Sequence, residues 1–265
     1  MRIRLVLASL IVELFLTACV TVSGAQQADK TFANDDEFRN WFAFYYRDPH
    51  PEFLTSALQF MSHHGYLDEG TEDRRDTSII ASVFLAHVFV ANPNQLATWT
   101  ADWGKLGQKE WYVVLVGLWM SDLPEAKELV RANLSHVNED HRARLTKMLM
   151  NNPSEVDPLT AEVIDPRQIN LLWAAFSATG DERYVRRVIS YVHLYGENAE
   201  EQSVIGEAAI MTLANNTLQH ESVARLCSDA NSNDPDPKTR VLLKAMLNAV
   251  AQMVKEGRNP SQPAH

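Results

Sequence analysis

The chain has 265 residues, 46% of them hydrophobic, with 24 Lys and Arg against 34 Asp and Glu for a formal net charge of −10. Nucleic-acid phosphates call for a basic patch, so this balance argues against nucleic acid as a partner and against broad adhesion to anionic lipid headgroups. The length is enough to bury a core as one domain or one continuous array.

At the N-terminus, Arg2 and Arg4 precede an apolar run from Leu5 to Leu16, and small residues lead to Cys19. This is the order of a signal peptide, and the run is short for a bilayer span. Leu16-Thr17-Ala18-Cys19 resembles the lipobox of bacterial lipoproteins. The resemblance implies export, removal of residues 1–18, and lipidation of Cys19, whose acyl chains anchor the protein to a membrane. Val20 follows the cysteine. In lipoproteins of this kind an aspartate there favours inner-membrane retention, so the resemblance implies the outer membrane and a periplasm-facing protein. Glu13 departs from the pattern, because a charged carboxylate at the bilayer centre costs roughly 2–3 kcal/mol. Two other readings stand beside this one. Ser23-Gly24-Ala25 is a small-x-small site whose cleavage after Ala25 would release a soluble secreted protein, and Ile3 to Val22 could stay as an uncut anchor.

Loss of residues 1–18 removes Arg2, Arg4 and Glu13 and leaves the mature chain one unit more negative. Cys227 is then the only thiol that is not lipidated, so no intramolecular disulfide can form and the core must hold the fold. Its surroundings, Ser222-Val223-Ala224-Arg225-Leu226-Cys227, read as a helix carrying a small buried cysteine rather than a nucleophile. Residues 19–34 are small and polar and read as a flexible tether.

From residue 35 to 257 the pattern is helical throughout, which predicts an all-α domain. Asp35-Asp36-Glu37 opens a helix with Phe38, Trp41, Phe42 and Tyr45 on one face. Pro51 opens a second, which stops at Gly65, and Thr71-Glu72-Asp73 opens a long third through Ile80, Phe84 and Val88. Trp111 to Met120 carries no charge, so it reads as a central helix buried on most of its circumference, with Gly117 allowing close approach of a neighbour. Pro124 opens the next helix, and Asp181-Glu182 and His220-Glu221 open two more. Pro153, Pro158 and Pro166 mark a break at 153–166. Residues 258–265 read as a disordered tail.

The turns share a form: a bulky apolar residue, small and polar residues, then a breaker. They start at Phe60, Phe89, Trp119, Leu149, Phe176 and, more loosely, Leu213, at spacings of roughly thirty residues, the length of a stacked helical pair. The expected architecture is an array of antiparallel hairpins, an α-solenoid, turning near 64, 92, 122, 152 and 180. Ala91-Asn92-Pro93-Asn94-Gln95-Leu96-Ala97-Thr98-Trp99 resembles the junction between two tetratricopeptide repeats. The following helix lacks that family's Leu-Gly pair, so the resemblance covers one junction.

No GxSxG, Gly-rich phosphate loop, HExxH or CxxC occurs. His63 and His64 point about 100° apart on a helix, and His136 and His141 flank Glu139-Asp140 without further ligands in fixed geometry. His50, between two prolines, reads as an exposed loop residue. No metal or cofactor is expected, and no catalytic residue is singled out. The carboxylate pairs Asp35-Asp36, Glu139-Asp140 and Glu200-Glu201 sit at helix starts, where the helix dipole alone favours acids. Trp173 to Tyr184 resembles hairpins of α/α-toroid sugar enzymes. The six tryptophans could line a sugar groove, though at helical spacing they read as core. Two functions follow. The first is a membrane-anchored lipoprotein that binds a protein or peptide partner at the cell envelope, with a helical array as its concave scaffold. The alternative is an α/α-type carbohydrate-active or other hydrolase in the periplasm.

Overall fold

A computed structural model of the chain describes residues 31–68, 70, 72–151 and 157–256. The signal segment, Cys19, the Ala25 cleavage site, most of the tether, the turn near 152 and the tail 258–265 lie outside the described residues. Among those described, every regular element is helical and no strand occurs. Among the described residues no single helix is long and apolar enough to cross a membrane.

Helix α1 spans Asp35–Phe44. Asn34 caps it by accepting from the Glu37 N–H at 2.9 Å, and Glu37 reaches back to accept from the Ala33 N–H at 2.8 Å. These bonds satisfy donors that a helix start leaves open. A 3-10 turn at Tyr45–Arg47 and another at Pro51–Phe53 lead to α2, Leu54–His63. Phe32 is buried between the two helices, with ring centroids 5.5 Å from Phe38 and 5.8 Å from Phe60. The folded part therefore begins earlier than the tether boundary at 34. Polar neighbours hide Phe32 in the sequence, and its partners become visible only when α1 and α2 pack.

Helix α3, Glu72–Ala91, is the axis of the N-terminal half. It packs along α5, Gln108–Met120, and along α8, Ile169–Thr179. Between them in sequence lie α4, Leu96–Asp102, α6, Pro124–Asn133, and α7, Glu139–Met148; α6 and α7 lie against α5. From Trp111 to Trp119, α5 is buried at every residue except Tyr112, which is half-buried. Gly117 sits where a Cβ would lie 3.0 Å from both the Ser82 carbonyl oxygen and Leu85 Cβ of α3. The missing side chain is what lets these helices touch. Ser82 Oγ bonds across the same contact to the Val113 carbonyl at 3.0 Å.

The break expected at 153–166 is non-helical from 157 to 165 and ends in a 3-10 turn at Pro166–Gln168. After α8, Gly180 adopts the left-handed conformation (φ 68°) that closes a helix, and Asp181 caps α9, Glu182–Ile189. Helices α10, Glu200–Gln219, α11, Glu221–Asn233, and α12, Pro237–Lys255, pack on one another, and α11 also lies against α9. Helix lengths run from 7 residues in α4 to 20 in α3 and α10. Helix α1 and the Tyr45–Arg47 turn lie against α8, which joins the N-terminal segment to the second half of the chain.

Candidate functional site

Helix α3 meets α5 on one side and α8 on another, which leaves a third face partly open. The segment 157–168 covers part of that face. Its order is built locally: the Leu159 N–H donates to Asp157 Oδ1 at 3.0 Å and the Ala161 N–H to the Asp157 carbonyl at 2.8 Å. Arg187 of α9 donates to the Ala161 carbonyl at 3.4 Å. At the far end Gln168 accepts from the Ile164 and Asp165 N–H groups at 2.7 and 3.0 Å, and Asp165 accepts from the Arg167 N–H. The Arg167 guanidinium holds the Asp165 carboxyl below its usual range and lies 3.4 Å from Asp76 of α3.

Three depressions lie along α3 beneath this segment. The largest, about 620 Å³, has an apolar floor that includes Ile79, Val116, Met120, Met148 and Leu171. Arg75, Arg144 and Glu162 also line it, with the polar side chains of Ser78, Tyr112 and Asn151. A second, about 340 Å³, shares Ile79, Gln168 and Leu171 with the first and is flanked by Ile164. A third, about 370 Å³, shares Met120 and Pro158 and extends to Val90. Ile79, Val90 and Ile164 are exposed apolar residues. A volume of a few hundred Å³ with an apolar lining and a few polar groups is the usual make-up of a ligand site.

The third depression holds the most titratable groups. His87 Nε2 lies 3.2 Å from Tyr184 Oη. Burial pushes the His87 pKa down against the opposing pull of Asp157 and Asp181, and burial together with Asp157 pushes the Tyr184 pKa up. Both groups are neutral at pH 7, so the contact is a hydrogen bond between neutral rings. Of the neighbouring charges, Asp122 pairs with Lys127 at 2.9 Å and Arg183 with Asp181 at 2.6 Å.

The residues weighed in the sequence fall elsewhere. His50 is half-buried and bonds Glu52 and Asp48 at 2.7 and 3.1 Å. His64 bonds the Phe60 carbonyl at 2.9 Å. His136 stacks on Trp111 (centroids 4.4 Å) and His141 on Tyr112 (3.9 Å), adjacent residues of α5. Among the described residues no group of three or more His, Cys, Asp or Glu side chains is placed to hold a metal ion. The three carboxylate pairs occupy the first turns of α1, α7 and α10. Asp35 also accepts from Tyr66 Oη at 2.9 Å. Cys227 is buried and free, and burial pushes its thiol up to about 11. Trp103, Trp111, Trp119 and Trp173 are buried, and Trp41 and Trp99 pack half-buried against the core.

The cleft residues were missed in the sequence. The available signal was α3 itself, which is apolar on more faces than one neighbour can cover, beside a proline-rich break long enough to lie over it. No protein-family model, curated protein or solved structure matches this chain.

Proposed function

We propose that this protein is a binding module of the bacterial cell envelope, tethered through lipidated Cys19, whose cleft along α3 receives an apolar polypeptide segment of a partner protein. The observation that carries the reading is the cleft: about 620 Å³ with a mostly apolar floor, sharing lining residues with two smaller depressions, on an acidic all-α body. Met120 and Met148 suit such a role, because unbranched thioether side chains repack around varied apolar partners. The lipobox-like Leu16-Thr17-Ala18-Cys19 supports the anchor, and Val20 supports the outer membrane.

An array of antiparallel hairpins with a period of about thirty residues belongs to the same proposal. Its support is that α2, α3, α5 and α8 end at 63, 91, 120 and 179, beside four of the expected turns, and that α8–α9, α10–α11 and α11–α12 each pair with their chain neighbour. Stacked repeats open in units. Native-state hydrogen exchange should therefore show α10–α12 opening separately from α3, α5 and α8. One cooperative opening of the whole chain would count against the array.

The hydrolase reading keeps one point in its favour, the third depression with His87, Tyr184 and Asp157 around one space. The binding reading is tested by site-specific photo-crosslinking in intact cells. A photoreactive residue at Ile79 should capture a polypeptide, a Leu171→Glu change should abolish that capture, and the same probe at exposed Val241 on α12 should not give it. Equal capture from Ile79 and Val241 would overturn the reading.

A further inference from the structure

We propose that the turn after α1 is an acid-released strap: protonation of His220 frees Tyr46 and Arg47 from the α10–α11 junction while the helices on either side stay folded. The proposal does not depend on what the α3 cleft binds.

The fixed side of the strap is His220. Its N–H closes α10 on the Asn216 carbonyl at 2.9 Å, and its own carbonyl accepts from the Ala224 N–H at 3.1 Å to open α11. The backbone anchors the ring from both sides, so a parting must move the turn. The moving side is Tyr45–Arg47, a single 3-10 turn closed by the Asp48 N–H on the Tyr45 carbonyl at 3.2 Å. So short an element opens more readily than a packed helix.

The turn is seated in a socket. Tyr46 lies against Phe176 of α8 and against His220, at ring centroids of 5.1 and 5.9 Å. It also covers Gly180, where a Cβ would come within 2.6 Å of its ring. Phe44 packs on the same imidazole at 4.7 Å. Behind the socket, Trp41 and Tyr45 rest on Phe84 of α3 at 5.7 and 5.1 Å and keep α1 in place. The parting is therefore confined to the turn.

The groups around His220 make the contact sensitive to acid. The turn brings the Tyr46 phenol and the Arg47 guanidinium; α1 and α8 bring Phe44 and Phe176, which carry no charge; Glu221, the next residue, is exposed. Among the described residues no carboxylate pairs with His220. A proton on this ring would sit at 1% exposure near a second cation, with no anion to offset it. It would also take the Nδ1 lone pair to which Tyr46 donates. Once the turn leaves, the ring meets water and binds its proton at ordinary affinity, so acid favours the parted form. In the closed form, burial and then Arg47 hold the pKa down to about 4, against an ordinary 6.5. His50, in the same stretch, works the other way: its hydrogen bond to Glu52, with a second to Asp48, raises its pKa, so its protonation does not part the turn.

The test is native-state amide hydrogen exchange at pH 7 and pH 4.5, in low urea, expressed as protection factors so that the intrinsic pH dependence cancels. Protection across residues 44–53 should lie at least about tenfold below that of α3 and α5 and respond little to urea, the mark of a local opening. It should fall at least about tenfold from pH 7 to pH 4.5. His220→Gln, which keeps an acceptor for Tyr46 and cannot charge, should lose that fall; His50→Gln should keep it. If His220→Gln does not fold, the His220 ring resonances of the wild type decide, because their titration midpoint should coincide with the loss of protection. Three results would each overturn the strap: a fall in His220→Gln as large as in the wild type, protection of 44–53 that follows α3 and α5 in urea at both pH values, or a titrating His220 with 44–53 still protected.

Discussion

Tyr46 Oη and His220 Nδ1 lie 3.1 Å apart although 174 residues separate them in the chain. The contact ties the turn after α1 to the junction of α10 and α11. Arg47 reinforces it, donating from Nε to Tyr46 Oη at 3.1 Å and from its terminal nitrogen to the Gln219 carbonyl at 3.4 Å. Tyr46 Oη accepts from Arg47 and keeps its own proton to donate to His220 Nδ1 in the neutral tautomer that leaves that nitrogen unprotonated. His220 is 1% exposed, and burial together with the Arg47 charge pushes its pKa down to about 4.

That depression sets a pH dependence. Between about pH 6.5 and 4 the unfolded chain binds a proton at His220 that the folded chain refuses, so stability falls as pH falls through this window. A shift of this size corresponds to up to about 3 kcal/mol. His87, also depressed by burial, acts in the same direction. The lowered carboxyls of Asp165, Asp181 and Asp236 lose their contribution only in more acidic solution. Urea midpoints from pH 7 to pH 4 should therefore fall steeply in the wild type and less steeply in His220→Gln. Parallel slopes would show that His220 does not titrate in this way.

Three glycines give a graded test of the packing. A Cβ on Gly206 in α10 would lie 2.1 Å from the Tyr195 backbone nitrogen and 2.5 Å from the Leu194 carbonyl carbon, atoms that cannot rotate away. On Gly117 it would meet Leu85 and Ser82 at 3.0 Å, and on Gly104 it would meet nothing within 4 Å. Gly206→Ala should cost the most, at or above the ~1–3 kcal/mol usual for overpacking. Gly117→Ala should fall in the lower part of that range, and Gly104→Ala should be neutral or slightly stabilising. Thermal or urea unfolding of the three variants checks the order, and a stable Gly206→Ala would contradict the close approach of α10 to the 192–194 turn.

Leu115 lies on α5 with no exposed surface. Leu115→Ala should cost about 2–5 kcal/mol, a large share of the stability of a domain without disulfides. The urea midpoint measures it, and an unchanged midpoint would remove α5 from the core.

The cysteines give a prediction about both ends of the chain. If Cys19 is acylated, the mature protein carries one thiol, that of Cys227. A thiol reagent should label it slowly in the folded protein, where burial raises its pKa to about 11, and promptly in denaturant, with one equivalent taken up. Mass spectrometry of the same material should give an acylated N-terminus at Cys19. A chain beginning at Gln26 without lipid would overturn the anchor.

The central helix could be read in the sequence because ten residues without charge leave no face for water, and Gly117 was the one position there small enough for contact. The capped starts at Asp35, Pro124 and Asp181 were equally visible, since caps and proline positions are local. Phe32 and the cleft were not, because they depend on distant partners. Phe32 needs Phe38 and Phe60, and the cleft needs α8 to return to α3 so that Leu171 faces Ile79. The Tyr46–His220 bond is the extreme case: neither residue carries a local signal, and only the fold brings them within 3.1 Å.

The cleft beneath 157–168 is the centre of the account, and amide hydrogen exchange tests it most directly. Much of this segment is non-helical and should exchange quickly in the free protein. Saturation with a pool of apolar hexapeptides should slow exchange across 157–168 and along the Asp76–Val90 stretch of α3, leaving α11 and α12 unchanged. Slowed exchange confined to α9, α11 and α12, or no change anywhere with peptide bound, would contradict it.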